Sequence, residues 1–158
     1  MKNKFTILGS GSSLGAPWIT NYMGKLKKNS KNIRTRCCAH IKYGNLSILI
    51  DTSPDIKSQF LKNKINSLDA IVYTHEHADQ TSGIFEMRPF FWKNKKKIPV
   101  YGSKRTIKAL ISKYTFCFKP RHGYKPIMAT NIIKNKFEVK VNNKKFKITA
   151  FDVIHGMI

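Results

Sequence analysis

The residues of this chain with the plainest capacity for chemistry sit together in Tyr73-Thr74-His75-Glu76-His77-Ala78-Asp79-Gln80-Thr81-Ser82-Gly83. The sequence holds 5 histidines, and two of them fall here beside an aspartate. Side chains alternate along an extended chain, so His75, His77 and Asp79 would leave one side of it together. Two imidazoles and a carboxylate suit a divalent ion such as zinc. The plain alternative is a polar loop with two chance histidines. Their concentration beside a carboxylate favours the metal.

An ion site needs a rigid mount. Leu68-Asp69-Ala70-Ile71-Val72-Tyr73 is an apolar run of the length of a buried strand, which puts the histidines at its end. Thr81, Ser82 and Gly83 read as a turn into a helix. Upstream, Lys4 to Leu8 reads as a strand. The small-residue loop Gly9-Ser10-Gly11-Ser12-Ser13-Leu14-Gly15 follows it. Such a loop lets backbone approach a ligand, but it lacks the Lys-Ser/Thr ending of a P-loop. Ala16 to Lys31 has no clear period and reads as a long loop near the mouth of a site. The second half of Arg34 to Tyr43 alternates as a strand and forms a hairpin with Leu46 to Ile50 around Gly44-Asn45. Asp51 ends that strand. A helix then runs through Ile56, Phe60 and Leu61 to about Lys64, with Thr52 or Ser53 as N-cap and Pro54 in the first turn.

Beyond the histidines, Ile84 to Trp92 reads as a helix that Pro89 interrupts. Ile98 to Gly102 is a short strand, and Ser103 caps a helix through Thr106, Ile107, Leu110 and Ile111. Phe116 to Met128 reads as irregular. A second hairpin pairs Phe137 to Val141 with Phe146 to Phe151 across Asn142-Asn143, its second strand continuing to His155. The pattern predicts an α/β (α+β) arrangement, a mixed sheet with helices outside, and no internal repeats.

At 158 residues the chain is one domain, or part of a larger one. Its hydrophobic content of 41% permits a real core. It has no apolar run long enough for a membrane span and no signal-peptide pattern at Met1 to Phe5. Cys37 and Cys38 are adjacent and Cys117 is distant, an odd count that fits a reducing cytoplasm. The net charge of +22 would steer the protein toward phosphates or nucleic acid. Yet the bias is 25 Lys against 5 Arg, dispersed, with 19 Ile and 12 Asn. Those residues have A/T-rich codons, so genome composition accounts for much of the charge. An anionic small substrate is favoured over a dedicated nucleic-acid surface.

Thr74-His75-Glu76-His77-Ala78-Asp79 resembles the His-x-His-x-Asp-His signature of the metallo-β-lactamase superfamily. Leu49-Ile50-Asp51-Thr52 resembles that family's strand ending in aspartate. Val153-Ile154-His155-Gly156 resembles the strand end that delivers the next metal histidine. Gly9 through Pro17, Arg34-Thr35-Arg36 and Gly83-Ile84 through Met87-Arg88 look like the phosphoribosyl 1,2-cyclic phosphate phosphodiesterase branch, near the ribonuclease Z group.

The resemblance implies an αββα sandwich and hydrolysis of a phosphodiester, here a small cyclic sugar phosphate, by a hydroxide held on Zn2+ or Mn2+. His75, His77 and His155 would hold the first ion. Asp79 would hold a second ion or orient the attacking water, and Asp51 would buttress a ligand. Ser12, Arg34 and Arg36 would contact the substrate, arginine suiting a phosphate's bidentate geometry, although for the two arginines a plain solvated face is an equal alternative. The sequence departs from the family twice. Gln80 stands in place of the third motif histidine, and an amide is a poor ligand for a second ion, so one ion is expected. The family also continues with a second half of the sandwich, carrying a bridging aspartate and a final histidine without counterparts before Ile158. The chain therefore reads as the N-terminal part of a longer domain. Standing alone it would expose apolar surface and be either poorly soluble or obligately paired, as in a homodimer.

Two rival functions remain. The charge favours a ribonuclease Z-like endonuclease processing transfer-RNA 3′ ends. Gln80 and the missing half favour a non-catalytic metal-binding module. Among the other residues, His40 reads as structural and His122 as exposed. Cys37, Cys38, Trp18, Phe91 and Trp92 read as core, and Arg88 as one half of a buried salt bridge with substrate phosphate as the second choice.

Overall fold

The computed structural model describes residues 3–141 and 144–155. Six strands form one mixed sheet in chain order: β1 (Lys4–Gly9), β2 (Cys38–Tyr43), β3 (Leu46–Ile50), β4 (Ala70–Val72), β5 (Ile98–Gly102) and β6 (Met128–Ile132). The first three are antiparallel, and β3 through β6 run parallel. Parallel neighbours need crossovers, and helices supply them. They are α1 (Ile56–Lys62), α2 (Ala78–Thr81), α3 (Arg88–Asn94), α4 (Lys104–Lys113) and α5 (Thr115–Phe118). The hairpin of β7 (Lys136–Val141) and β8 (Lys144–Thr149) forms a separate two-stranded sheet.

Alternation along the strands divides the core. Leu49, Ile71 and Val100 face the helices and pack with Ile56, Phe60, Ile84, Met87 and Leu110. Ile48 and Ala70 face the other way, against Val139, Phe137, Phe146 and Ile148 of the β7–β8 hairpin. The central strands are thus covered on both faces, which is why Leu46-Ser47-Ile48-Leu49-Ile50 reads as a continuous apolar run broken once. Ser47 is tolerated there because its Oγ lies 2.8 Å from His40 Nε2 and donates to Ser67 O at 2.6 Å. His40 is accordingly a buried structural residue.

Several local expectations are corrected. The α1 N-cap is Asp55, not Thr52 or Ser53. Thr52 is unavailable because its Oγ1 is taken by Tyr73 Oη at 2.8 Å, while Ser53 Oγ accepts from Asp55 N at 3.1 Å in the turn before the helix. Pro89 opens α3 rather than interrupting a helix, because a 3-10 segment, Ser82–Met87, precedes it. Proline costs no hydrogen bond in a first turn. Residues 116–128 are not wholly irregular, since α5 lies there and β6 begins at Met128. Strand β8 ends at Thr149, so His155 arrives on a segment without regular secondary structure. The turn Asn142-Asn143 and Gly156 lie outside the described residues.

Cys38 is buried, but Cys37 is exposed, and all three cysteines are free. Trp18 and Trp92 are exposed rather than core, while Phe91 packs partly buried against the core. His122 is exposed. Among the described residues, no helix is long and apolar enough to cross a membrane.

Candidate metal centre

The site forms where parallel strands end, the usual place for function in a sheet of this kind. Strand β3 delivers Asp51, whose amide donates to Val72 O at 2.9 Å. Asp51 has φ 62, a left-handed turn that swings its carboxylate toward the end of β4. There Thr74 N donates to Asp51 Oδ1 and Thr74 Oγ1 donates to Asp51 Oδ2, both at 2.8 Å. Burial pushes the Asp51 carboxyl up to about 7, opposed by the two bonds from Thr74 and assisted by the charge of Asp79.

Thr74 Oγ1 also lies 2.9 Å from His75 Nδ1. A hydroxyl has one proton. When it is donated to the Asp51 carboxylate, the Thr74 oxygen can only accept from His75 Nδ1–H. The His75 proton then sits on Nδ1, and Nε2 keeps its lone pair for an ion. Burial, followed by the neighbouring His77 and His155, lowers the His75 pKa, which favours that neutral form.

The three imidazoles converge. Ring centres lie 4.5 Å apart for His75 and His77, 5.0 Å for His75 and His155, and 5.4 Å for His77 and His155. One nitrogen from each lies within 4.8 Å of the others. Donors about 2.0–2.1 Å from a tetrahedral ion sit about 3.4 Å apart. A small swing of the exposed His155 closes that difference, so these residues fit a three-histidine ion site with a fourth position open.

Asp79 lies on α2 and is not part of this group of three. Its Oδ2 accepts from Gln80 Nε2 at 2.9 Å. Gln80 is buried, and its carbonyl accepts from Thr52 N at 2.7 Å, so it supports the aspartate and the turn after β3.

The histidines open onto a cleft of about 490 Å³ whose far wall is Ser103, Arg105 and Thr106 at the start of α4. Ser103 Oγ accepts from Thr106 N at 3.1 Å, capping that helix as its sequence predicts. Arg105 was not among the candidates read from sequence. Its Nε donates to Glu76 Oε1 at 2.6 Å, tying the histidine loop to α4, and Lys113 Nζ donates to Glu76 O at 2.9 Å. The available signal was a cation in the first turn after β5, at the same sheet edge as His75.

The expected substrate contacts lie elsewhere. Ser12 and Arg34 line a separate cleft of about 420 Å³ that shares no residue with the histidine cleft. Arg34 Nη1 donates to Ile33 O at 2.9 Å. Arg36 already has a partner within the fold. Its guanidinium is committed to Asp55, with Nη2 to Oδ1 at 2.6 Å and Nε to Oδ2 at 2.9 Å. That pair raises the arginine's pKa and lowers the aspartate's. It fastens the segment before β2 to the start of α1. Arg88, expected to pair with a carboxylate, has no such partner among the described residues.

The profile of the beta-lactamase superfamily domain matches residues 47–158, well over half the chain. A diphosphatase of the PhnP family has a similar structure, with a TM-score of 0.75, 28% identity, and 92% of this chain matched to 56% of that one. Zinc-bound PqqB from Methylobacterium extorquens shares the fold at a TM-score of 0.64 and 14% identity, over 88% of this chain and 52% of that one. YhfI from Bacillus subtilis shares it at 0.58 and 16%, over 89% and 48%. A Porphyromonas gingivalis protein named octanoyltransferase is 26% identical over 155 residues, 96% of this chain but 31% of its own length. The chain thus spans about half the length of these structures and a third of that relative. The profile match and the shared architecture establish that this chain belongs to the β-lactamase superfamily and has the metallo-β-lactamase fold.

Proposed function

We propose that the protein is a metal-dependent hydrolase that cleaves a phosphodiester in a small phosphorylated substrate, most simply a cyclic sugar phosphate. The observation that carries this reading is the convergence of His75, His77 and His155 within 4.8 Å, with His75 oriented through Thr74 by a buried aspartate. Similarity to the PhnP-family diphosphatase supports phosphoester chemistry.

His75, His77 and His155 would hold one zinc or manganese ion. The ion, when bound, would supply a water of lowered pKa and neutralise charge on the phosphoryl oxygens. The chain's own residues do the rest. Asp51 and Thr74 hold the His75 tautomer. Arg105 and Lys113 hold Glu76, and through it the loop between the two histidines. Asp79, steadied by Gln80, orients the attacking water and accepts its proton.

The test is hydrolysis of bis-(p-nitrophenyl) phosphate by zinc- or manganese-loaded protein. Activity that survives His77→Ala would sink the assignment. The ribonuclease reading rests on the net charge of +22 and requires RNA binding that weakens steeply with salt. A flat salt response removes it.

A further inference from the structure

A second cavity, of about 470 Å³, lies between α3 and the 119–127 loop and shares no residue with the histidine cleft. That volume is within the range of roughly 300–1,000 Å³ typical of small-ligand sites. Its centre is Arg88. The guanidinium carbon lies 4.6 Å from the ring centre of Trp92, 5.5 Å from Tyr124 and 5.7 Å from Phe85. Phe116 completes the wall, edge-on to Phe85 at 5.8 Å. These four rings are all more than two-fifths exposed, an unusual density of wet aromatic surface.

The basic groups there are equally unspent. Arg88 has no carboxylate partner among the described residues, and Arg121 and Lys125 line the same cavity. A guanidinium stacked on rings keeps its in-plane N–H groups free for an anion. A neutral apolar ligand would leave Arg88 covered and unpaired, at a desolvation cost. A small inorganic anion would leave the aromatic walls wet. A ligand with a flat π-face and an anionic group satisfies both.

We propose that this cavity is a second binding site, for a nucleoside monophosphate. The base stacks against Trp92 and Tyr124, and the phosphate is held by Arg88 with Arg121 and Lys125. Stacking on an aromatic side chain is indifferent to which base is offered. The site is separate from the histidine centre and holds whether or not the protein is a phosphodiesterase.

Trp92 is itself the reporter. The chain has 2 tryptophans, and Trp18 packs at a tilt against Tyr22 outside this cavity, so Trp18→Phe leaves one tryptophan. In that protein AMP should quench fluorescence saturably. Adenosine and inorganic phosphate, each alone, should bind at least about fivefold more weakly. Arg88→Gln and, independently, the exposed Tyr124→Ala should each weaken AMP by at least about fivefold. His77→Ala should leave AMP affinity unchanged. No saturable quench by millimolar AMP, phosphate binding as tightly as AMP, an unchanged affinity in either cavity variant, or a loss in His77→Ala would each overturn the proposal.

Discussion

Asp51 and His75 are joined through a single hydroxyl: Thr74 Oγ1 donates to Asp51 Oδ2 at 2.8 Å and stands 2.9 Å from His75 Nδ1. Neither residue touches the other, yet the buried carboxylate dictates where the imidazole carries its proton. Thr74 is the part of this relay that can be removed without emptying space. Thr74→Val keeps the shape and deletes the hydroxyl, and should weaken zinc about 10–100-fold, the usual cost of losing a partner that orients a ligand. Thr74→Ser should retain most of the affinity. Competition against a chromophoric chelator measures both, and equal affinity in wild type and Thr74→Val would remove the relay.

Asp51→Asn attacks the same relay from its far end. The amide can still accept from Thr74 N, but its NH2 must then donate to Thr74 Oγ1. The hydroxyl is left to donate to His75 Nδ1, which moves the imidazole proton to Nε2. Metal affinity should fall although nothing near the ion has changed size. In metal-free protein, stability should move the other way with pH. The Asp51 carboxyl titrates at about 7 in the fold and near 3.8 when unfolded. Between those values the folded state binds the extra proton, so wild-type stability is eroded as pH rises, by up to about 1.4 kcal/mol per unit. Asp51→Asn lacks that erosion. Urea unfolding from pH 4.5 to 7 should show the wild type losing ground to the variant, and parallel curves would contradict a buried, high-titrating Asp51.

Arg36 offers a choice between two roles. As a clamp on Asp55, its loss should cost about 1–2 kcal/mol of stability, discounted for partial exposure. Arg36→Gln should then lower the unfolding midpoint and leave KM for a phosphodiester close to wild type. A raised KM with unchanged stability would return Arg36 to the substrate. The depressed Asp55 pKa adds a direction: the pair's contribution is present at neutral pH and fades as pH falls through the acid range.

These residues also mark how far the sequence was legible. Strands β2 to β5 follow alternation and apolar runs, and Ser103 caps α4, because those signals are local. His75 and His77 announced themselves by type and spacing at a strand end. What failed depends on contacts across the chain. Asp55 partners Arg36 from 19 positions away, and nothing local distinguishes that arginine from one reserved for phosphate. Strand β6 exposes most of its residues and owes its form to pairing with β5. Asp79 shares a spacing with the histidines, but α2 begins at Ala78, so strand alternation ends before reaching it. Arg88 was expected to pair with a carboxylate, and aromatic rings surround its guanidinium instead.

Gly83 holds the frame behind the site, and its substitution separates packing from ligation. Its backbone lies so close to the turn after β3 that an added Cβ would overlap Ser53 O and stand 2.8 Å from Ile56 Cγ2. The approach is fixed by a reciprocal clasp, Gly83 N to Thr52 O at 2.9 Å and Thr52 N to Gln80 O at 2.7 Å. Two of the three atoms are backbone, so relief requires moving the 3-10 segment Ser82–Met87 away from the turn after β3 rather than rotating a side chain. Gly83→Ala should therefore destabilise by about 1–3 kcal/mol. It should also weaken zinc, because the loop bearing His75 and His77 is anchored between Asp51 and the same clasp. Gly83→Ala that unfolds at the wild-type midpoint would show that the 3-10 segment yields freely. Lost stability with unchanged zinc affinity would show instead that the histidine loop is positioned by Thr74 and Asp51 alone.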